Sequence, residues 1–243
     1  MEKQKSQAKT NLVGLSENPY PGRGIVMGLD ETGKNLVQIY WIMGRSANSR
    51  NRIFVKDDEN SVNTAPADAS KVEDASLIIY TAMKESSSSI FAVSNGHQTG
   101  DAIGMDFVTF INEWKYEPDH PNYTHRITGL IDIGTEKDNL FAGFIVLKKS
   151  PFSNRCNMSA YELDISEPGL GYCVTTYSGD GNPLPSFEGD PYLLPILGDI
   201  KDVGKSIWEN LNEENRVSLV VKFINIESQI SSIEIINKYE AVI

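Results

Sequence analysis

The chain has 243 residues, 40% of them apolar and 23% charged, with a formal net charge of −11. That length supports a sizeable core, in one large domain or two small ones. The acidic balance argues against a broad basic face for nucleic acid, and no window approaches the roughly 18 consecutive apolar residues of a membrane helix.

The opening stretch, MEKQKSQAKTNLVGLSENP, carries charge but no apolar core of a secretory signal. It reads as a polar arm over residues 1–18, ahead of a single domain over 19–243 with a cytoplasmic location. Gly24 to Leu29 and Leu36 to Met43 are apolar runs around Asp30-Glu31-Thr32-Gly33-Lys34, a hairpin turn. Residues 57–75 are polar and acidic and read as an exposed excursion. Leu77 to Met83 and Ile90 to Val93 predict two strands joined by the serine run 86–89. Asp101 to Trp114 predicts a helix, because Ile103, Phe107, Phe110, Ile111 and Trp114 recur at helical spacing. After a loop over 115–125, Ile127 to Ile133 and Leu140 to Leu147 pair around residues 134–139. Further strands are expected at 159–165 and 171–177. The Gly- and Pro-rich stretch GDGNPLPSFEGDPYLLP reads as a long irregular loop, a type usually functional or disordered. Ile200 to Leu211 predicts a second helix, and strands at 217–225 and 229–237 close the chain. Strands in hairpins with two well-separated helices predict an α+β fold, two stacked sheets with helices outside.

Cys156 and Cys173 lack metal-binding spacing, and without an export signal they are expected to be reduced. His97, His120 and His125 do not show zinc spacing either, so no metal is expected. The arginines are more telling. Arg23 stands at the mouth of the first strand, Arg45, Arg50 and Arg52 lie in GRSANSRNR after the second, and Arg126 precedes a later one. Guanidinium forks at strand ends suit a phosphate or other anion, while the alternative is surface ion pairing with the abundant carboxylates.

The run Ser94-Asn95-Gly96-His97-Gln98-Thr99 joins an apolar strand to a helix. Backbone N–H groups and short side chains there suit an anion or a carbonyl, and Thr99 alternatively caps the helix. Tyr80, read alone, fits a core tyrosine, and Glu117 a solvated loop charge.

Taken together and in order, these segments resemble the archaeal-type IMP cyclohydrolases. Gly22-Arg23-Gly24-Ile25 is similar to the family's Gly-Arg strand opening. Gly44-Arg45-Ser46-Ala47-Asn48-Ser49-Arg50 resembles Ser-Arg-Ser-Phe-Pro-Asn-Arg, with Ala47-Asn48 in place of Phe-Pro and Ser49 in place of Asn. Val93 to Thr99 resembles Val-Ser-Asn-Gly-Ser-His-Thr, with His97 where the family has Ser. Tyr116-Glu117, Thr124-His125-Arg126-Ile127 and Thr175-Thr176-Tyr177 resemble Tyr-Glu, Thr-Pro-Arg-Ile and Ser-Thr-Tyr. The likeness covers roughly residues 19–180.

The resemblance implies a four-layer αββα sandwich, Ntn-hydrolase-like but without the N-terminal nucleophile. It implies the last step of purine nucleotide biosynthesis, in which a formamido-imidazole-carboxamide ribonucleotide (FAICAR) closes its ring to IMP, with no cofactor. Within that resemblance Arg50, Tyr80 and Glu117 form the catalytic group. Arg23, Arg45 and Ser46 are expected to contact phosphate or ribose, and Asn95, Gly96, Thr99 and Arg126 the base and carboxamide. The partner is then the purine nucleotide itself, and self-association into a closed homo-oligomer is the default expectation. A non-catalytic nucleotide-binding protein on the same scaffold is the alternative. An Ntn-like amidohydrolase is disfavoured, because Met1-Glu2-Lys3 offers no nucleophile.

Overall fold

The computed structural model describes residues 2–57, 61–72, 74–86, 89–104, 107–134 and 140–241. Its strands are β1 (Gly24–Leu29), β2 (Asn35–Met43), β3 (Ile53–Lys56), β4 (Ser61–Ala65), β5 (Thr81–Glu85), β6 (Ile90–Ser94) and β7 (Arg126–Asp132). The remaining strands are β8 (Phe141–Lys149), β9 (Cys156–Glu162), β10 (Leu170–Thr175), β11 (Tyr192–Pro195), β12 (Arg216–Asn225) and β13 (Ser231–Asn237). The helices are α1 (Glu2–Glu17), α2 (Ala47–Arg50), α3 (Asp101–Gly104), α4 (Phe107–Glu113) and α5 (Ile200–Glu209).

The described strands form two antiparallel sheets, ordered β11-β10-β1-β2-β12-β13 and β3-β4-β5-β6-β7-β8-β9. The β1–β2 hairpin forms as its sequence predicts. Buried Asp30 accepts hydrogen bonds from Lys34 N at 2.9 Å and Asn35 N at 3.0 Å, which locks the turn. β2 is buried from Leu36 to Met43, and apolar there except at Gln38, because both its faces are covered. Leu36, Tyr40 and Ile42 face the second sheet, in a core with Met27, Phe91 and Phe144. Val37, Ile39 and Trp41 face outward, under Leu15 of α1 and Val203 and Ile207 of α5. The fold is therefore α+β, with two face-to-face sheets and helices outside.

Several elements differ from the sequence reading. The polar arm is a helix, α1, whose Ala8 and Leu15 are buried and whose Asn11 Nδ2 donates to Leu193 O at 2.8 Å. Within 57–75 lies a strand, β4, whose Val62 and Thr64 are buried; residues 58–60 and 73 lie outside the described residues. The strand expected from Leu77 begins only at Thr81, after a 3-10 turn at Ala75–Leu77. Of the helix expected over 101–114, the described residues form α3 and α4. Residues 105–106 and the side chains of Phe107 and Ile111 lie outside the described residues, as do 87–88 of the serine run and 135–139. Phe110 is buried as its spacing predicts. β9 starts three residues earlier than expected, at Cys156.

The register places one end of the first sheet at the site. Gly24 of β1 pairs with Thr175 of β10 and Trp41 of β2, and Arg216 of β12 pairs with Met43 of β2.

Candidate active site

A cavity of about 280 Å³ opens at that end. The chain before β1, the turn after β2, the loop before β7 and the stretch after β10 converge on it. Gly22 makes the convergence possible. Its φ is +74°, and a Cβ there would sit 2.2 Å from Thr176 Oγ1 and 2.5 Å from the Tyr177 ring. No L side chain fits that backbone or that space.

Arg23 follows directly and points into the cavity. Its Nη1 donates to Glu117 Oε2 at 3.1 Å, and both side chains are nearly buried. Burial lifts the Glu117 carboxyl above its ordinary range, and Arg23 only partly pulls it back. A carboxylate so held is easier to protonate than one on the surface, which suits a group that takes up a proton.

Ser46 starts α2 by accepting from Ser49 N at 3.1 Å, while Ser46 N donates back to Ser49 Oγ at 3.0 Å. This single turn sends two neighbouring arginines in opposite directions. Arg50 turns away, its Nε on Gly44 O at 2.9 Å and its Nη2 on Asn215 Oδ1 at 3.1 Å. It lines a separate surface hollow with Asp68 and Lys71. Arg52, by contrast, is 1% exposed and lines the cavity. Its Nε donates to Ser49 O at 2.8 Å and its Nη2 to Met43 O at 3.2 Å, but its Nη1 has no hydrogen-bond partner among the described residues. A buried guanidinium with a vacant donor is costly unless something completes it.

Tyr80 sits just before β5, its hydroxyl 2.7 Å from that of Tyr40. Both tyrosines are buried and within electrostatic reach of Arg23 and Arg52. Arg45 and Ser46 lie on the outer lip. Arg45 sits over the Tyr20 ring, 5.1 Å from its centroid, and pairs with Asp180 from the Gly- and Pro-rich loop. Leu184 of the same loop reaches the cavity wall.

The run Ser94 to Thr99, expected to be a wall of the pocket, does not line this cavity. Ser94, Asn95, Gln98 and Thr99 are fully buried and bonded to one another and to the chain. Asn95 Nδ2 donates to His125 O at 2.7 Å, and Asn95 Oδ1 accepts from Ile127 N at 2.9 Å. The Thr99 hydroxyl meets Ser94 Oγ at 2.5 Å and Gly96 O at 3.1 Å. Gly96 leaves room for Arg126, whose Nη1 would lie 2.1 Å from a Cβ there. Arg126 then donates to Gln98 Oε1 at 3.0 Å and lies over the Trp114 ring. His97 places a ring nitrogen 3.0 Å from Ser76 O and its edge against Tyr80. The run thus positions Arg126 and Tyr80 from behind the cavity.

Of the residues singled out in the sequence, Arg23, Arg45, Ser46 and Glu117 line the cavity. Tyr80 and Arg126 stand behind it, while Arg50, Asn95, Gly96 and Thr99 do not line it. Arg52, Tyr20, Asp119, Thr124 and Tyr177 line it without having been assigned a role. Thr124 and Tyr177 lay inside recognised motifs, and Arg52 inside the arginine cluster.

A cavity with an arginine–carboxylate pair, a second buried arginine and a further arginine at its lip has the charge and shape suited to a small polar anion. The family model described as IMP cyclohydrolase-like protein matches residues 20–229, and the chain belongs to that family. No curated protein and no solved structure matches it. Among the described residues no helix is long and apolar enough to cross a membrane.

Proposed function

We propose that the protein is an IMP cyclohydrolase that closes FAICAR to IMP, on an αββα scaffold of the Ntn-hydrolase type. The observation that carries this reading is the Arg23–Glu117 pair and the buried Arg52 guanidinium on the wall of one cavity, in a chain of this family.

The reaction forms a bond between the carboxamide nitrogen and the formyl carbon. The formyl oxygen then leaves as water, carrying one proton from the carboxamide nitrogen and one from the formamide nitrogen. The nucleophile is weak, so holding the two groups face to face supplies much of the acceleration. Glu117, its carboxyl raised by burial, takes the carboxamide proton. Arg52 Nη1 donates to the formyl oxygen as negative charge develops there, the role the resemblance gave to Arg50. The Tyr40–Tyr80 hydroxyl pair stands behind the cavity wall and acts on the departing water from there, not by direct contact. Arg23 holds Glu117 in place, and Arg45 with Ser46 takes the phosphate at the lip.

The test is direct. The purified protein is mixed with FAICAR and IMP is followed by chromatography, with Glu117→Gln alongside. IMP formation by the wild type, reduced at least about a hundredfold in the variant, supports the reading. Binding of FAICAR or IMP without turnover supports the nucleotide-binding alternative instead.

A further inference from the structure

Tyr177 joins the two ends of the cavity. Its ring stacks on Tyr20, with centroids 5.9 Å apart and planes 23° apart, and Tyr20 in turn carries Arg45. Its hydroxyl lies at the other end, bonded to Thr124 Oγ1 and within electrostatic reach of Arg23 and Glu117. Thr124 Oγ1 is bonded to Asp119 Oδ2 as well, and Thr124 N donates to Asp119 Oδ1 at 2.6 Å. Asp119, Thr124 and Tyr177 all line the cavity.

The protons in this chain have one consistent direction. A carboxylate only accepts, and a threonine hydroxyl has one proton. Thr124 therefore donates to Asp119, and Tyr177 must donate to Thr124. Burial holds the Tyr177 phenol above its ordinary range, so it keeps that proton to give. The phenolic oxygen is left with a lone pair and nothing to donate. Arg23, Arg45 and Arg52 surround the ligand space with cationic donors, whereas Tyr177 adds a neutral acceptor.

We propose that Tyr177 reads the sugar of the nucleotide, its oxygen accepting a hydrogen bond from a ribose hydroxyl. The assignment rests on the nucleotide reading above. A ligand with its phosphate at Arg45 and its ring at Glu117 and Arg52 runs its sugar past Tyr177. A sugar hydroxyl is the neutral donor that such an acceptor matches. Asp119 and Thr124 are positioning residues, because they fix which way the Tyr177 proton points.

Isothermal titration calorimetry with IMP, 2′-deoxy-IMP and 3′-deoxy-IMP tests this. Wild-type protein is expected to bind one of the two deoxy nucleotides about tenfold more weakly than IMP, the size of one lost hydrogen bond. Tyr177→Phe keeps the ring stack; it should weaken IMP to that same level and leave the deoxy compound unchanged. Thr124→Ser should behave as wild type, and Thr124→Val as Tyr177→Phe. Equal weakening of all three ligands in Tyr177→Phe overturns the assignment, as does a wild type that binds all three alike. Failure of folded wild type to bind IMP at all overturns the nucleotide reading and this assignment with it, so the two failures are told apart.

Discussion

The run Ser94 to Thr99 and the run Arg45 to Arg52 are both short, polar and placed at strand ends, yet their side chains are used in opposite ways. In the first, every buried polar group finds a partner within the protein. Asn95 ties the end of β6 to the start of β7, and Thr99 folds back on Ser94 and Gly96. In the second, the turn begun by Ser46 drives Arg52 inward and leaves its Nη1 without a partner. A polar cluster that satisfies itself serves as scaffold, whereas a buried arginine on a cavity wall with an N–H left over is suited to a ligand. Polarity in the sequence does not separate the two, but the hydrogen-bond inventory does.

The sharpest way to break this contrast is at the two arginines. Arg52→Met should lower turnover at least about a hundredfold, the cost of losing one charge-stabilising donor. Arg50→Ala, at a half-buried side chain turned away from the cavity, should stay within about twofold of wild type. Steady-state kinetics on FAICAR reads both, with circular dichroism to show that each folds. The reverse ranking would return Arg50 to the centre of the site.

The next effect concerns pH. Arg23 pulls the Glu117 carboxyl down against the burial that raises it. Arg23→Gln removes that pull, so the Glu117 pKa rises further. A base must be ionised to work, so the acid limb of the kcat/KM profile should move to higher pH. At neutral pH kcat/KM should fall by about thirtyfold, in the range of a charged hydrogen bond. An acid limb that stays in place would separate Glu117 from the limiting proton transfer.

Asn95→Ala probes the scaffold side. It leaves Ile127 N and His125 O without their buried partner, at a cost of roughly 3 kcal/mol in unfolding free energy. Denaturant unfolding should show that loss while kcat of the folded variant stays within about threefold. A large fall in kcat with unchanged stability would make Asn95 a substrate contact after all.

The smallest effect is expected at the lip. Asp180 occupies Arg45 in an exposed ion pair, which is worth little by itself. Asp180→Asn frees Arg45 for phosphate, and KM should fall by about threefold. A rise in KM would show that Asp180 helps to hold the ligand.

Apolar pattern carried most of the strands. β1, β2 and β12 are legible because both faces are buried, and the Asp30 turn because its residues have a defined conformational use. The elements that pattern hides are those with few apolar residues. α1 docks through little more than Ala8 and Leu15, and β4 hides Val62 and Thr64 in a polar run. For the site, the motifs located Arg23, Arg45, Ser46 and Glu117 on the cavity wall. They did not distinguish Arg50 from Arg52, because which of two close arginines faces inward depends on how a single helical turn is set, and no periodicity extends that far. They contained Tyr177 without giving it a role, because that role lies in the partners of its hydroxyl.

The most direct test of the site is a crystal structure with IMP bound. The account predicts the phosphate against Arg45 and Ser46, the purine ring between Glu117 and Arg52, and a water at the place the formyl oxygen left, accepting from Arg52 Nη1. IMP seated elsewhere, or seated in the cavity with Arg52 Nη1 still unpartnered, would contradict it.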